Sequence, residues 1–206
     1  MSLSVTELLE RSSARHDHLC PRQVLGVRIG LAGLAILGLD SPVNKNTALI
    51  IVESDGCFAD GIEVATGATV GHRTLRVNDF GKIAATFADV SSRRSVRISP
   101  ALDIRERALS YASEEPRRYF AQLQGYQVMP DAELLRFQEV ELHPTLKELI
   151  SRPLARAVCD YCGEEISNER ERRLNGAVLC RACADDGYYL INPAPAELYK
   201  KVKQSS

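Results

Sequence analysis

The stretch TALIIVESDGCFADGIEVATG, residues 47–67, decides the fold. Residues 47–54 form a continuous run rich in β-branched and aliphatic side chains, which reads as a buried strand. Asp55-Gly56-Cys57 then turns the chain, and a short helix from Phe58 to about Thr66 is stopped by Gly67. Working outward, TLRVND (74–79), KIAATFADV (82–90) and RSVRIS (94–99) read as three further strands, with Asp79-Phe80-Gly81-Lys82 predicted as a hairpin turn between the first two. On the other side, Cys20-Pro21 opens a long apolar helix, proline being suited to a first turn where its missing N–H has no partner. Helix, strand, helix, then several strands predict an α+β fold with a mostly antiparallel sheet.

The most apolar part of that long helix, VLGVRIGLAGLAILGL (24–39), contains Arg28 and spans 16 residues, short of the roughly 20 needed to cross a bilayer. It therefore reads as a core helix, and a soluble cytoplasmic protein without membrane partners is expected. Gly26, Gly30 and Gly33 recur along it at helical spacing, which admits the close approach of another backbone and places the helix at the centre of the fold or at a subunit interface. Basic residues number 26 and acidic residues 27, so no field spans the molecule to attract nucleic acid or anionic lipid.

Elsewhere the pattern is weaker. SVTELLERSS (4–13) predicts a lead-in helix, and the charged run from Pro100 to Ser113 predicts another. Asp131 is placed as the cap of a helix through Phe137, with FQEVEL (137–142) as one more strand. His143-Pro144 and Ser151-Arg152-Pro153 bracket a short helical linker, which sets the expected division at a core of residues 1–152 and a second domain of residues 153–206.

That second domain carries four of the chain's six cysteines, as two CxxC pairs separated by 17 residues: Cys159, Cys162, Cys180 and Cys183. Each pair can turn both sulfurs onto one ion, and four thiolates make the closed tetrahedral shell of a structural zinc site. Residues 170–180 read as a hairpin around Asn175-Gly176, after which Cys180 and Cys183 open a short helix, an arrangement like a treble-clef finger. Arg170, Arg172 and Arg173 could line an edge, but six basic against five acidic side chains between Arg152 and Cys183 leave too small an excess to predict phosphate recognition.

His16, His18 and Cys20 alternate, so an extended segment presents all three on one face, and Cys20 then sits at a helix start, where backbone amides favour a thiolate. Cys57 stands in the same relation to the second helix. Imidazole and thiolate in this grouping suit zinc or iron. By spacing alone, a solvated pair of histidines and a small buried cysteine are equally valid readings.

The series His16-Asp17-His18-Leu19-Cys20-Pro21, Leu25-Gly26-Val27-Arg28-Ile29-Gly30, Glu53-Ser54-Asp55-Gly56-Cys57-Phe58-Ala59-Asp60-Gly61-Ile62, Thr66-Gly67-Ala68-Thr69-Val70-Gly71 and Asp79-Phe80-Gly81-Lys82 resembles the FmdE family, which takes its name from formylmethanofuran dehydrogenase. The resemblance implies an α+β core with a metal-capable pocket, a zinc finger behind it and intimate homodimers. It also implies a relation, as accessory or stand-alone protein, to a molybdenum or tungsten redox enzyme of methane-forming archaea. Carried over by position, His18, Cys20 and Cys57 are the preferred ligands of a second zinc or iron, with His16 either a ligand or a neighbour of one. Asp55 and Asp60 are candidate acid/base or orienting groups, their plainer role being helix-start acids. The sequence departs from the family pattern at Asp17, Arg22 and Ala68, which changes the charge and removes a thiol beside the pocket. His72 supplies an extra imidazole, most simply a surface-turn residue. The alternative to a core working with a redox enzyme is a regulatory or adaptor module, whose core senses a metal or small ligand while its finger contacts protein or nucleic acid.

Overall fold

A computed structural model describes residues 3–15, 18–150 and 154–189, and the chain divides into two compact units, 1–146 and 147–206. The sequence places the boundary near Pro153, a residue outside the described ones.

The first helix, α1 (Val5–Ser13), starts at a capping box: the Glu7 amide donates to Ser4 Oγ, and the Ser4 amide donates back to the Glu7 carboxylate. The long helix α2 (Pro21–Leu37) follows, ended by Gly38 in the left-handed region at φ 65°. Its start is fixed by Gln23, whose fully buried amide side chain accepts from the Cys20 N–H and donates to the Ser12 carbonyl. No described helix is long and apolar enough to cross a membrane.

Strand β1 (Ala48–Val52) is buried at every position, as a β-branched run demands. Helix α3 (Cys57–Thr66) connects it to β2 (Leu75–Val77), which pairs with β1 in parallel. This corrects the hairpin expected at Asp79–Lys82. A crossover helix returns the chain in the same direction, so β2 takes the outer side of β1. The next strand, β3 (Ala85–Asp89), takes the inner side, antiparallel. The Asp79–Lys82 loop instead folds back onto Glu53, whose carbonyl accepts from the amides of Phe80 (2.9 Å) and Lys82 (3.1 Å).

The rest of the sheet is antiparallel: β4 (Ser95–Pro100) pairs with β3, and the order across the sheet becomes β2-β1-β3-β4-β5 once the last strand has joined. Before it come α4 (Ile104–Ser110), α5 (Arg118–Val128) and a single turn, α6 (Asp131–Leu134). The helix predicted through Phe137 stops there, because Leu135–Glu139 is taken into the sheet as β5, and the cap position is Pro130 rather than Asp131. The pattern also gives no sign of α5, which packs Gly125 against the Ala108 carbonyl of α4.

Arg28 explains how α5 is held. Its guanidinium donates to the carbonyls of Tyr126 (2.8 Å), Gln127 (3.1 Å) and Met129 (2.7 Å) and pairs with Asp131 (2.6 Å). One fork thus satisfies the carbonyls that a helix end leaves without partners. Arg28→Met is expected to destabilise the core by about 3 kcal/mol, since several buried acceptors lose their donor at once. Lysine, a single point donor, should recover little of it in denaturant titrations. Near wild-type stability of Arg28→Met would show that water replaces the fork.

In the second unit, α7 (Leu146–Leu149) forms the expected short helical linker. Two hairpins follow: β6 (Arg156–Val158) with β7 (Glu165–Ser167), and β8 (Arg172–Leu174) with β9 (Ala177–Leu179). Asn175 and Gly176 both take positive φ, 50° and 85°, the geometry of the two-residue turn their sequence predicts. Residues Ala182–Asp186 form a π-type turn where a short helix is expected.

Candidate metal centre and the core cleft

The finger's ligands are set by these turns. Gly163, at φ 76°, lets the chain reverse so that its amide reaches the Cys159 carbonyl at 2.9 Å, while the Cys159 amide returns to Glu164 at 2.9 Å. The Asp160 amide donates to the Val178 carbonyl (2.8 Å) and the Val178 amide to Asp160 Oδ2 (2.7 Å), joining the first knuckle to the second hairpin. As a result the sulfurs of Cys159, Cys162, Cys180 and Cys183 all lie within 4.8 Å of one another. A tetrahedral zinc with bonds of about 2.3 Å requires sulfurs about 3.8 Å apart. Cys162 and Cys180 stand at 4.0 Å, so the donors fit the ion. Amides of Cys180 and Cys183 donate to the sulfurs of Cys159 (3.3 Å) and Cys180 (3.4 Å), contacts that stabilise thiolate charge.

In the metal-free cluster, the amides of Cys162 and Cys180 pull the Cys159 thiol down to about 6, while a hydrogen bond to Cys180 pushes Cys183 up to about 12. Cys162 is also raised: the Glu164 amide pulls its thiol down, but burial and the Cys159 contact outweigh it. Zinc takes thiolates, so loading near neutrality expels protons from at least Cys162 and Cys183. Zinc affinity is therefore expected to rise with pH by about a hundredfold per unit, the slope for two protons released. Competition against a chromophoric chelator between pH 6 and 8 measures it, and a flat profile would contradict the assignment.

In the core, two glycines decide the geometry. Gly26 of α2 and Gly61 of α3 meet backbone to backbone, which lets the two helices cross closely and brings their starts together. Cys20 and Cys57 occupy those starts, and their thiols are hydrogen-bonded to one another. The helix-start argument predicts a thiolate at Cys57. Instead burial, and then the contact with Cys20, push the Cys57 thiol up, outweighing its backbone amide. Asp60 adds to the rise through its charge and is itself paired with Arg15 at 3.6 Å.

Cys20 lines a cleft of about 600 Å³. Arg22 and Leu25 of α2 extend this wall; Ser54 and Asp55 close it after β1, and Asp79 and Gly81 after β2. Arg105 of α4 and Tyr119, Gln122 and Tyr126 of α5 complete the lining. Tyr119 is raised by burial and by the neighbouring Cys20 and Cys57, which places its hydroxyl beside the thiol pair. Behind the cleft, the buried Glu53 accepts two bonds from Arg97, at 2.6 and 2.7 Å, fixing the strand that carries Ser54.

Among the described residues, the four finger cysteines are the one group of three or more ligand atoms gathered closely enough for a metal ion. Cys20 and Cys57 come together without His18, which is exposed, and His16 lies outside the described residues. Asp55 lines the cleft and Asp60 sits in the first turn of α3. His72 is held in a surface turn by Thr69, its Nδ1 3.0 Å from the hydroxyl. Tyr119 and Arg105 carry no signal in the sequence: neither lies in a motif, and only the packing of α4 and α5 brings them to the cleft. Glu53 lies in a recognisable motif, but its partner, 44 residues away, is not legible from it.

Fold and cysteine cluster together define an α+β protein with a C-terminal four-cysteine zinc finger. The chain belongs to the FmdE family, whose profile, described as FmdE, molybdenum formylmethanofuran dehydrogenase operon, matches residues 15–154. The profile of the prokaryotic dksA/traR C4-type zinc finger matches residues 152–189. A probable S-adenosyl-L-methionine-binding protein of Archaeoglobus fulgidus is 36% identical over 97 residues, covering 46% of this chain and 26% of that protein. The chain thus spans about a quarter of that relative's length. The crystal structure of a tungsten formylmethanofuran dehydrogenase FmdE-like protein from Syntrophus aciditrophicus aligns with a TM-score of 0.56 at 21% identity, over 92% of this chain and 96% of that one. That likeness is one of fold.

Proposed function

We propose that the core of this zinc-binding FmdE-type protein holds a second metal ion, and that the cleft beside it is where the protein works. The observation that carries the reading is the convergence of Cys20 and Cys57 at the starts of two closely crossed helices. Two sulfurs with an imidazole from His18, and His16 within reach in sequence, form a donor set suited to zinc or iron. A metal held this way keeps an open position, which the closed finger lacks, and supplies Lewis-acid chemistry to a ligand in the cleft. Tyr119 would orient such a ligand beside the thiols, and Asp60 would hold negative charge near Cys57. In this reading the chain is an accessory or stand-alone relative of the molybdenum and tungsten formylmethanofuran dehydrogenases, works as a homodimer in the cytoplasm, and uses its finger for stability.

Metal analysis of the full-length protein tests the assignment. Two equivalents per chain are expected, falling to one in Cys20→Ser/Cys57→Ser, with the finger's zinc retained. A single equivalent in the wild type that survives this double substitution sinks the core site.

A further inference from the structure

We infer that the core cleft binds a small zwitterion of the α-amino-acid class, its carboxylate taken by Arg22 and Arg105 and its ammonium by Asp55 and Asp79. The inference names the ligand of the pocket proposed above as the working site, and its recognition chemistry needs no metal. Four observations converge on it. The cleft lies outside the carboxyl ends of the parallel pair β1 and β2, the position where sheets with helical crossovers receive ligands. At about 600 Å³ it has the size of a small-molecule site.

Its charges are the third. Arg22, Arg105 and Asp55 line the space from different elements, and none has an ion-pair partner among the described residues. Asp79 spends one carboxylate oxygen on the Gly81 amide and keeps the other. Two guanidinium and two carboxylate groups sum to no net charge. An inorganic anion would meet the carboxylates and a simple cation the arginines, whereas a zwitterion engages both signs. Arginine is also the side chain matched to a carboxylate, through its planar fork.

The fourth is Ser54. Its Oγ is buried on the cleft wall with no hydrogen-bond partner. Such an atom is costly to leave unpaired, and an ammonium or carboxylate in the cleft gives it one. Tyr119 and Tyr126 form an aromatic side to the same space, so the body of the ligand should be planar or apolar.

The test is a protein-observed NMR titration of the full-length, zinc-loaded chain with three matched probes. L-tryptophan carries both charges, indole-3-propionate lacks the ammonium and tryptamine lacks the carboxylate. L-tryptophan should shift amides around Ser54, Asp79 and Tyr119 saturably, and each of the other two should bind at least tenfold more weakly. Arg105→Gln and Asp55→Asn, both at exposed positions, should each weaken tryptophan at least tenfold while leaving the rest of the spectrum in place. Equal binding by indole-3-propionate would make this an anion site, equal binding by tryptamine a cation site, and no shift at the cleft would remove the site; each overturns the inference. The metal content of the same samples is read separately, so failure here and failure of the core metal are distinguishable.

Discussion

Stripping zinc from the protein, or replacing Cys159 by serine, is expected to unfold the finger unit while the sheet and helices of the core persist. The reason lies in what each unit buries. The core cluster runs from Leu8 to Leu135 and includes fully buried Phe58, Phe87, Ile50 and Ile98. In the finger, Cys159 and Ile166 are the only buried apolar side chains among the described residues, and its sheets are two-stranded hairpins, which are marginal alone. Apolar burial of that extent offsets little of the entropy of ordering some thirty residues, at about 1–2 kcal/mol each for the backbone. Four zinc–thiolate bonds must supply the difference, and structural zinc contributes about 10 kcal/mol or more near neutral pH. Chelation followed by NMR should collapse the amide dispersion of residues 155–189 and spare that of β1, β3 and β4. A finger that keeps its dispersion without metal would contradict the account, and loss of the core spectrum would show that the two units fold together.

Gly26→Ala is the second large effect. A Cβ on Gly26 would lie 2.3 Å from the Phe58 carbonyl oxygen and 2.9 Å from the Gly61 Cα. Reciprocally, a Cβ on Gly61 would lie 2.5 Å from the Gln23 carbonyl oxygen. These neighbours are backbone, so no rotamer change relieves the clash and α2 and α3 must separate. Overpacking of this kind costs about 3 kcal/mol. Helix propensity acts in the opposite direction, favouring alanine by about 1 kcal/mol, so the sign of the measured change decides between crossing and propensity. Gly71→Ala, with nothing within 4 Å, is the control and should stay within about 0.5 kcal/mol of wild type. Because the crossing brings Cys20 to Cys57, Gly26→Ala should also weaken any metal held there. A stabilised Gly26→Ala would mean that the helices have slack at this point.

The fold is legible in the sequence where local chemistry suffices. The buried strand at 48–52, the Gly67 stop, the Asn175-Gly176 turn and the CxxC spacing each follow from residue types a few positions apart. Helix α5 is not legible, because its stability comes from Arg28 nearly a hundred residues earlier and from Gly125 lying on α4. The hairpin expected at Asp79–Lys82 fails for a related reason. Two strands adjacent in sequence look alike whether they pair with each other or with a third, and α3 settles it by forcing β2 parallel to β1.

Sequence alone determined which residues can bind zinc, since four thiols at fixed short spacings leave the ion little choice. It also determined that α2 must admit a close neighbour, since its glycines have no other use at that spacing. The tertiary structure decided which neighbour that is. It set Cys20 against Cys57, raised Cys57 by burial where a helix start alone would have lowered it, and collected Arg22, Ser54, Asp55, Asp79, Arg105 and Tyr119 around one cleft. Those residues come from separate segments of the chain, and no local pattern records a meeting that only the packing of helices on a sheet brings about.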